Sequence, residues 1–283
     1  MSRVDLHIHS TASDGRLRPA DIVRQAAEQG LSAIAIADHD SVDGIVPALV
    51  AAKAFPELRV IPAIELSTDV PQGEVHVLGY FIDYADREFQ VTLERMRHSR
   101  LHRAQGMIAK LKNFGIYIDW ERVQQIAGEG SMGRPHIAQA MLEKGYITSF
   151  KEAFDKYISR DGPAYVEREK MTPVEAVELL LQVNGLPVLA HPFTANNPEM
   201  LIAGLRAAGL IGIEAYYDGY TADEISRLVS LAGKYGLIVT GGSDYHGLEA
   251  TNETMIGGVD VPLESVERLI ALAKQRAPKL AGL

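Results

Sequence analysis

His7 and His9 stand two residues apart in the run Val4-Asp5-Leu6-His7-Ile8-His9. In an extended strand that spacing turns both imidazoles to one face. One such pair is weak ground for a metal. The same chemistry recurs, however, at or just after the ends of other apolar runs: Asp38-His39-Asp40, Glu65, His191-Pro192 and Asp244-Tyr245-His246, with His76 on a further run. Asp14 lies in a Ser13-Asp14-Gly15 turn that can swing its carboxylate back over the strand ends. Six of the nine histidines fall in this set. Imidazoles and carboxylates gathered at one end of one sheet point to a multinuclear metal centre. A metal-free polar network of this size would bury too many unpaired rings and acids. The chain has no cysteine, so disulfides, thiolate sites and thiol nucleophiles are excluded, and His, Asp and Glu are the only strong ligands. Mixed nitrogen and oxygen ligation favours manganese, iron or zinc over magnesium.

The anionic members of the set are Asp14, Glu65 and Asp244. Three divalent ions set against these carboxylates and one bridging hydroxide leave a surplus charge suited to a phosphate dianion, whereas two ions leave the site neutral. Paired ions about 3.5 to 4 Å apart generate hydroxide and clamp both oxygens of an in-line displacement. Glu65, with two oxygens, is the natural bridge, and Glu65, Asp244 and His191 are expected to carry the catalysis. No side chain stands out as a general acid; metal coordination of the leaving oxygen would suffice. Asp38 is expected to orient a neighbouring imidazole, with a turn or capping role as the alternative. Glu214 faces a choice between the site and a core network.

The elements that must position these residues alternate along 283 residues, enough for one large or two modest domains. Seven strands are expected near Val4-Leu6, Ala33-Ile36, Val60-Ile64, Val75-Tyr80, Pro187-Leu189, Ile211-Ala215 and Ile238-Thr240. Helices are expected at Pro19 to Glu28, Ile45 to Ala54, Pro198 to Ala208, Ala222 to Lys234 and Leu263 to Gln275. The pattern is α/β, a seven-stranded barrel, with an open doubly wound sheet as the alternative. It breaks once, between Tyr80 and Pro187, where helices are expected at Arg87 to Asn113, Trp120 to Ala127, Pro135 to Lys144, Phe150 to Tyr157 and Pro173 to Val183. The expected division is a catalytic barrel over 1–85 and 172–283, with a helical lid subdomain over 86–171. Because this insert leaves from the C-terminal end of a strand, it is expected over the active-site face. The balance of 28 basic against 37 acidic side chains, net −9, argues against a nucleic-acid coat, so a phosphate-bearing partner needs a local positive site. No apolar stretch is long enough to span a membrane and the first residues carry no signal-peptide pattern, which makes a cytoplasmic enzyme the expectation.

Taken together, Asp5-Leu6-His7-Ile8-His9-Ser10, Ser13-Asp14-Gly15, Ala37-Asp38-His39-Asp40, Glu65, His76, Ala190-His191-Pro192 and Ser243-Asp244-Tyr245-His246 resemble the PHP (polymerase and histidinol phosphatase) family of metal-dependent phosphoesterases. The resemblance implies a distorted seven-stranded, TIM-like barrel holding up to three metals. It implies that His7, His9, Glu65 and Asp244 hold a first ion, Glu65, His76 and His191 a second, and Asp14, His39 and His246 a third. The histidinol phosphatase branch carries histidine at the position of Asp14, which sets this chain apart from it. The inserted helices and Ser131-Met132-Gly133-Arg134-Pro135-His136 look like the branch similar to 3′,5′-nucleoside bisphosphate phosphatases, some acting also as 5′-to-3′ exonucleases on short RNA.

Pro135 reads as a first helical residue, leaving Arg134 and backbone N–H groups at a positive helix end, so Arg134 is expected to contact a substrate phosphate. Arg160, in another turn of the insert, is a second candidate, with a salt bridge to a nearby acid as its alternative. His136 would position either one. The helix from Arg87 carries seven basic residues against Glu88 and Glu94 up to Lys112. In it Arg100 interrupts an apolar stripe and is expected to fold away or to pair within the interface, while Arg95, His98 and His102 form a polar stripe from which His102 is a further substrate candidate. The expected activity is removal of phosphate from a small nucleotide, with no protein partner evident. The rivals are a histidinol-phosphatase-like monoesterase, an amidohydrolase, which commonly has a carbamylated lysine on the fourth strand where this chain has His76, and a noncatalytic metal-stabilised nucleotide-binding module.

Overall fold

The computed structural model describes residues 3–70, 73–128, 130–167, 171–247 and 254–276. Seven strands form one sheet in sequence order: β1 (Arg3–Ile8), β2 (Leu31–Ile36), β3 (Arg59–Val70), β4 (Gly73–Tyr80), β5 (Leu186–Leu189), β6 (Gly212–Tyr217) and β7 (Ile238–Gly242). Helices α1 (Pro19–Glu28), α2 (Ile45–Ala52), α8 (Pro198–Ala208), α9 (Ala222–Tyr235) and α10 (Leu263–Arg276) follow β1, β2, β5, β6 and β7. The insert comprises α3 (Arg87–Leu111), α4 (Trp120–Ala127), α5 (Arg134–Glu143) and α6 (Phe150–Ala153), and α7 (Pro173–Gln182) leads back into the barrel. No helix among the described residues is long and apolar enough to cross a membrane. The sheet nearly closes on itself. The last turn of β1 meets the segment after β7 through an Ile8–Tyr245 bridge, with His9 N–H donating to the Tyr245 carbonyl at 2.9 Å and Asp244 N–H to that of His7 at 2.9 Å. Gly242 makes the approach possible, since a Cβ there would lie 2.5 Å from the His7 Cβ. The barrel, rather than the open sheet, is the architecture.

One expectation about direction is corrected. β4 pairs antiparallel with β3 and with β5, from Val70 opposite Gly73 to Ala63 opposite Tyr80, while the remaining ladders are parallel. Only residues 71 and 72 separate β3 from β4, and so short a link can only return the chain antiparallel. The C-terminal end of β4 therefore lies at the end of the barrel remote from the histidines. The insert leaves there, so its exit point does not place it over the mouth, contrary to the reasoning from sequence. The length of α3 does. At 1.5 Å per residue its 25 residues climb about 37 Å along the outside of the barrel.

The sequence of α3 shows how it serves two layers. Asp86 caps its N-terminus, accepting from Phe89 N–H at 2.9 Å. Phe89, Leu93 and Met96 pack with Ile45, Ile64 and Leu66 on the barrel's outer core. About two turns further along α3, Ala104, Met107, Ile108 and Leu111 join Val123, Ile137, Met141 and Ile158 in a separate core of the insert. Arg100 sits at the junction, 5 % exposed, donating from Nε to Asp40 at 2.7 Å and from Nη2 to Ser67 Oγ at 2.7 Å. Asp40 also accepts from Ser67 N–H at 2.8 Å. A buried guanidinium is tolerated because its charge is met by a carboxylate and its remaining donors by oxygen. This lock ties α3 to the segment after β2, through Asp40, and to β3, through Ser67.

Candidate metal centre

Strand alternation turns His7 and His9 to the barrel interior, both fully buried, while Leu6 and Ile8 face the apolar layers. Their Nε2 atoms lie 3.1 Å apart. Both point at the same carboxylates: His7 Nε2 is 3.3 Å from Glu65 Oε2 and 3.4 Å from Asp244 Oδ1, and His9 Nε2 is 3.2 and 2.9 Å from the same two atoms. Glu65 occupies the middle of the cluster. Its Oε2 also faces His39 Nδ1 at 3.0 Å, while its Oε1 faces His76 Nδ1 at 2.9 Å and His191 Nε2 at 3.0 Å. On the outer side Asp14 Oδ1 stands 3.5 Å from His246 Nε2 and 3.8 Å from His9 Nδ1. Three overlapping groups have ligand atoms mutually within 4.8 Å: His7, His9, Glu65 and Asp244; His39, Glu65 and His76; and His9, Asp14, His39 and His246. All nine residues singled out in the sequence as metal ligands thus converge.

These donors fit metal ions. His9 Nδ1, His39 Nδ1, Asp14 Oδ1, Glu65 Oε2 and Asp244 Oδ1 are buried and make no well-formed hydrogen bond. Leaving so many polar atoms unsatisfied in one cavity is costly without a cation between them. Without one, the cluster is balanced by protons. Burial alone would raise the carboxyls, yet the surrounding imidazoles hold Glu65, Asp14 and Asp244 well below the usual carboxylate range. Burial alone would lower His9, but Asp244 and Glu65 push it up to about 10. Burial prevails at His39, which is lowered.

The protein holds the outward ring nitrogens of His7 and His246. Glu214, passed over in the sequence, is fully buried on β6 and accepts from His7 Nδ1 at 3.0 Å and from the His191 backbone N–H at 2.8 Å. His246 Nδ1 lies 2.7 Å from the Asp244 carbonyl, and Tyr217 OH donates to Asp244 Oδ2 at 2.8 Å. A carboxylate or carbonyl on one ring nitrogen fixes the tautomer and aims the other nitrogen's lone pair. The only sign of Glu214 in the sequence was its charge on an otherwise apolar strand. Asp38 does not orient an imidazole through any observed contact. Its oxygens accept from Ser10 N–H, Ser10 Oγ and Ser13 Oγ, each at 2.7 Å, so it shapes the turn that carries Asp14. Backbone strain gathers here too. Of five non-glycine described residues with left-handed φ, three are Asp40 (50°), His191 (27°) and Asp244 (52°). Such conformations cost about 1–3 kcal/mol each and persist only where surrounding contacts determine them.

A cavity of about 160 Å³ opens beside the cluster, lined by Asp14, His39, His76 and His246 from the barrel and by Arg134, Pro135 and Phe154 from the insert. Arg134 lies with its guanidinium 5.5 Å from the Phe154 ring centre and 2.5 Å from Glu74. His136 Nδ1 accepts from Gly133 N–H at 2.9 Å, and burial lowers its pKa, so the neutral ring carries its proton on Nε2. The other two substrate candidates lie elsewhere. Arg160 is bound to Asp69 and to the carbonyls of Val70 and Gly73, at 2.7, 3.0 and 2.8 Å, which makes it a brace for the tip of the β3–β4 hairpin. His102 is exposed and lines a separate surface cavity with Arg95, His98 and Glu167. Both departures have one cause: position within an insert says little about which face of it meets the barrel.

A family model described as the PHP domain matches residues 5–159. A 3′,5′-nucleoside bisphosphate phosphatase of Chromobacterium violaceum is 30% identical over 251 residues, covering 87% of this chain and 88% of that protein. A 5′-3′ exoribonuclease of Haemophilus influenzae is 31% identical over 248 residues, covering 86% of this chain and 90% of that protein. A Bifidobacterium adolescentis structure described as a metal-dependent phosphoesterase superposes with a TM-score of 0.87 at 26% identity, over 96% of each chain.

Proposed function

This chain belongs to the PHP-domain family and is a metal-dependent phosphoesterase, and from that premise we propose that it removes the 3′-phosphate of nucleoside 3′,5′-bisphosphates. The observation that carries this reading is the single cavity in which the His and Asp cluster of the barrel faces Arg134 of the insert. In this reading His7, His9, Glu65 and Asp244 hold one divalent ion, Glu65, His76 and His191 a second, and Asp14, His39 and His246 a third, with manganese the first choice. Divalent ions held by these residues would supply the Lewis acidity that activates water and would neutralise charge on the reacting phosphate. The chain's own residues do the rest. Glu65, Asp244 and His191 fix the reacting centre, and Glu214 keeps the lone pair of His7 Nε2 turned inward. Arg134 binds phosphate through its planar donor fork, and His136 presents an N–H donor at Nε2. Residues 86–171 act as a lid that supplies Arg134 and excludes water. The likeness to an exoribonuclease supports a second substrate for the same site, the 5′ end of short RNA.

The test is phosphate release by metal-loaded protein from nucleoside 3′,5′-bisphosphates, mononucleotides, histidinol phosphate and short 5′-phosphorylated RNA. Bisphosphates are expected to give the highest kcat/KM. Strong cleavage of histidinol phosphate with none of any nucleotide would overturn the assignment. Matched assays for ammonia release and for nucleotide binding without turnover address the amidohydrolase and binding-module rivals.

A further inference from the structure

The turn that carries Asp14 is held from two sides. From the barrel, Asp38 accepts from Ser10 and Ser13, and the Ser10 carbonyl accepts from Ser13 N–H at 3.0 Å and from Gly15 N–H at 2.9 Å. From the insert, Ser131 N–H donates to the Ala12 carbonyl at 3.0 Å. Gly130 lies against the same turn, where a Cβ would stand 2.5 Å from the Thr11 carbonyl oxygen and 2.8 Å from that of Ser13. Side chains do not approach backbone atoms so closely, so glycine is what lets the two segments meet. Gly133 reaches the carboxylate itself, since a Cβ there would lie 3.4 Å from Asp14 Oδ2. Further along, Gln139 Oε1 of α5 accepts from Arg16 Nη2 at 2.6 Å, and Arg16 N–H donates to the His246 carbonyl at 2.7 Å.

These contacts converge on one ligand group. Asp14 and His246 both belong to the outermost of the three, whereas Glu65 stands on β3 and Asp244 follows β7, where Tyr217 of β6 holds it. Asp14 is only 6 % exposed although it stands in a turn, because the insert covers it. We infer that Gly130–Gly133 is a positioning segment for Asp14, so that the outermost ion is held tightly only while the insert is seated on the barrel. The inference rests on the three-ion reading above and adds what governs the third ion. A carboxylate fixed in place before the ion arrives binds it better than one on a turn that must be ordered at that moment. The coupling runs both ways: whatever the seated insert adds to the affinity of this ion, the ion adds to the seating of the insert.

Two measurements on the full chain test this, and neither needs turnover. The first counts manganese bound per chain in equilibrium dialysis over a series of metal concentrations. Asp14→Asn removes the ligand itself and sets the loss to be matched. Gly130→Ala is expected to weaken the same ion about tenfold or more, and to cause no further loss when added to Asp14→Asn. The second follows hydrogen exchange of a peptide containing Ser131, whose N–H is bonded to Ala12. Manganese should slow that exchange about tenfold or more in stripped wild type and leave it unchanged in Asp14→Asn. A segment with a merely structural role would respond alike in both proteins, and this readout does not depend on Gly130→Ala folding. Slowing that persists in Asp14→Asn, no slowing in the wild type, or wild-type metal affinity in folded Gly130→Ala overturns the inference. If Asp14→Asn binds as many ions as the wild type, the three-ion reading fails and the inference falls with it. If Asp14→Asn loses an ion that Gly130→Ala keeps at full affinity, the reading stands and the positioning role alone fails.

Discussion

Replacing Glu214 by glutamine is expected to weaken metal binding about 10- to 100-fold, a loss of about 1.4 to 2.7 kcal/mol, with the barrel still folded. Glu214 accepts two hydrogen bonds in a fully buried setting, from His7 Nδ1 at 3.0 Å and from His191 N–H at 2.8 Å. Glutamine has one acceptor and one donor end. If its oxygen stays on His191, its NH₂ faces His7 Nδ1, and the His7 proton must move to Nε2, the atom aimed at Glu65 and Asp244. If the amide flips, a buried donor meets the His191 N–H and about 1–3 kcal/mol of hydrogen bonding is forfeited there instead. Either way the ligand set is presented less well. Manganese titration of EDTA-stripped protein by calorimetry reads the affinity, and phosphate release at saturating metal should recover towards wild type. A dissociation constant within twofold of wild type, with an unchanged melting temperature for the stripped protein, would refute the orienting role.

Metal binding to stripped protein at pH 7 should release protons, because His9 is held at about 10 without metal and must lose its proton to act as a ligand. Apparent affinity then rises with pH from 6 to 8, and titrations in buffers of different ionisation enthalpy count the protons; a buffer-independent heat contradicts this. Arg100→Met leaves Asp40 buried without its guanidinium and should cost about 3–5 kcal/mol in urea unfolding. Adding Asp40→Asn should restore part of that loss, and strict additivity of the two changes would count against the lock. Arg160→Ala should lower stability by about 1 kcal/mol, its ion pair being partly exposed, through loss of the hairpin brace. The KM for nucleotide should stay within about twofold, since its partners are Asp69, Val70 and Gly73; a tenfold rise would return Arg160 to the substrate site.

The strands were legible because apolar, β-branched runs bounded by turns have few alternatives, and all seven form where the sequence places them. The histidines were legible because strand alternation is a local rule that fixes which side chains share a face. Strand direction was not, since β4 differs from its neighbours only in the two-residue link that precedes it. For a similar reason Asp38 took the turn role named as its alternative, and Glu214 went to the site rather than to a core network. Asp38 is next to His39 in the chain but is satisfied by Ser10 and Ser13, whereas Glu214, distant from both His7 and His191 in the chain, holds both.

The sequence by itself determined the chemical inventory: no thiols, nine metal-capable side chains on or soon after strands, and a basic helix opening an insert. These follow from residue type and from periodicities that act within a few residues. Tertiary structure decided which acids orient the ligands, that Arg160 braces a hairpin while Arg134 faces the cluster, and that α3 carries the insert up from the remote end of the barrel. Those outcomes depend on contacts between residues far apart in the chain, where hydrogen-bond satisfaction and close packing select among partners that local sequence leaves equivalent.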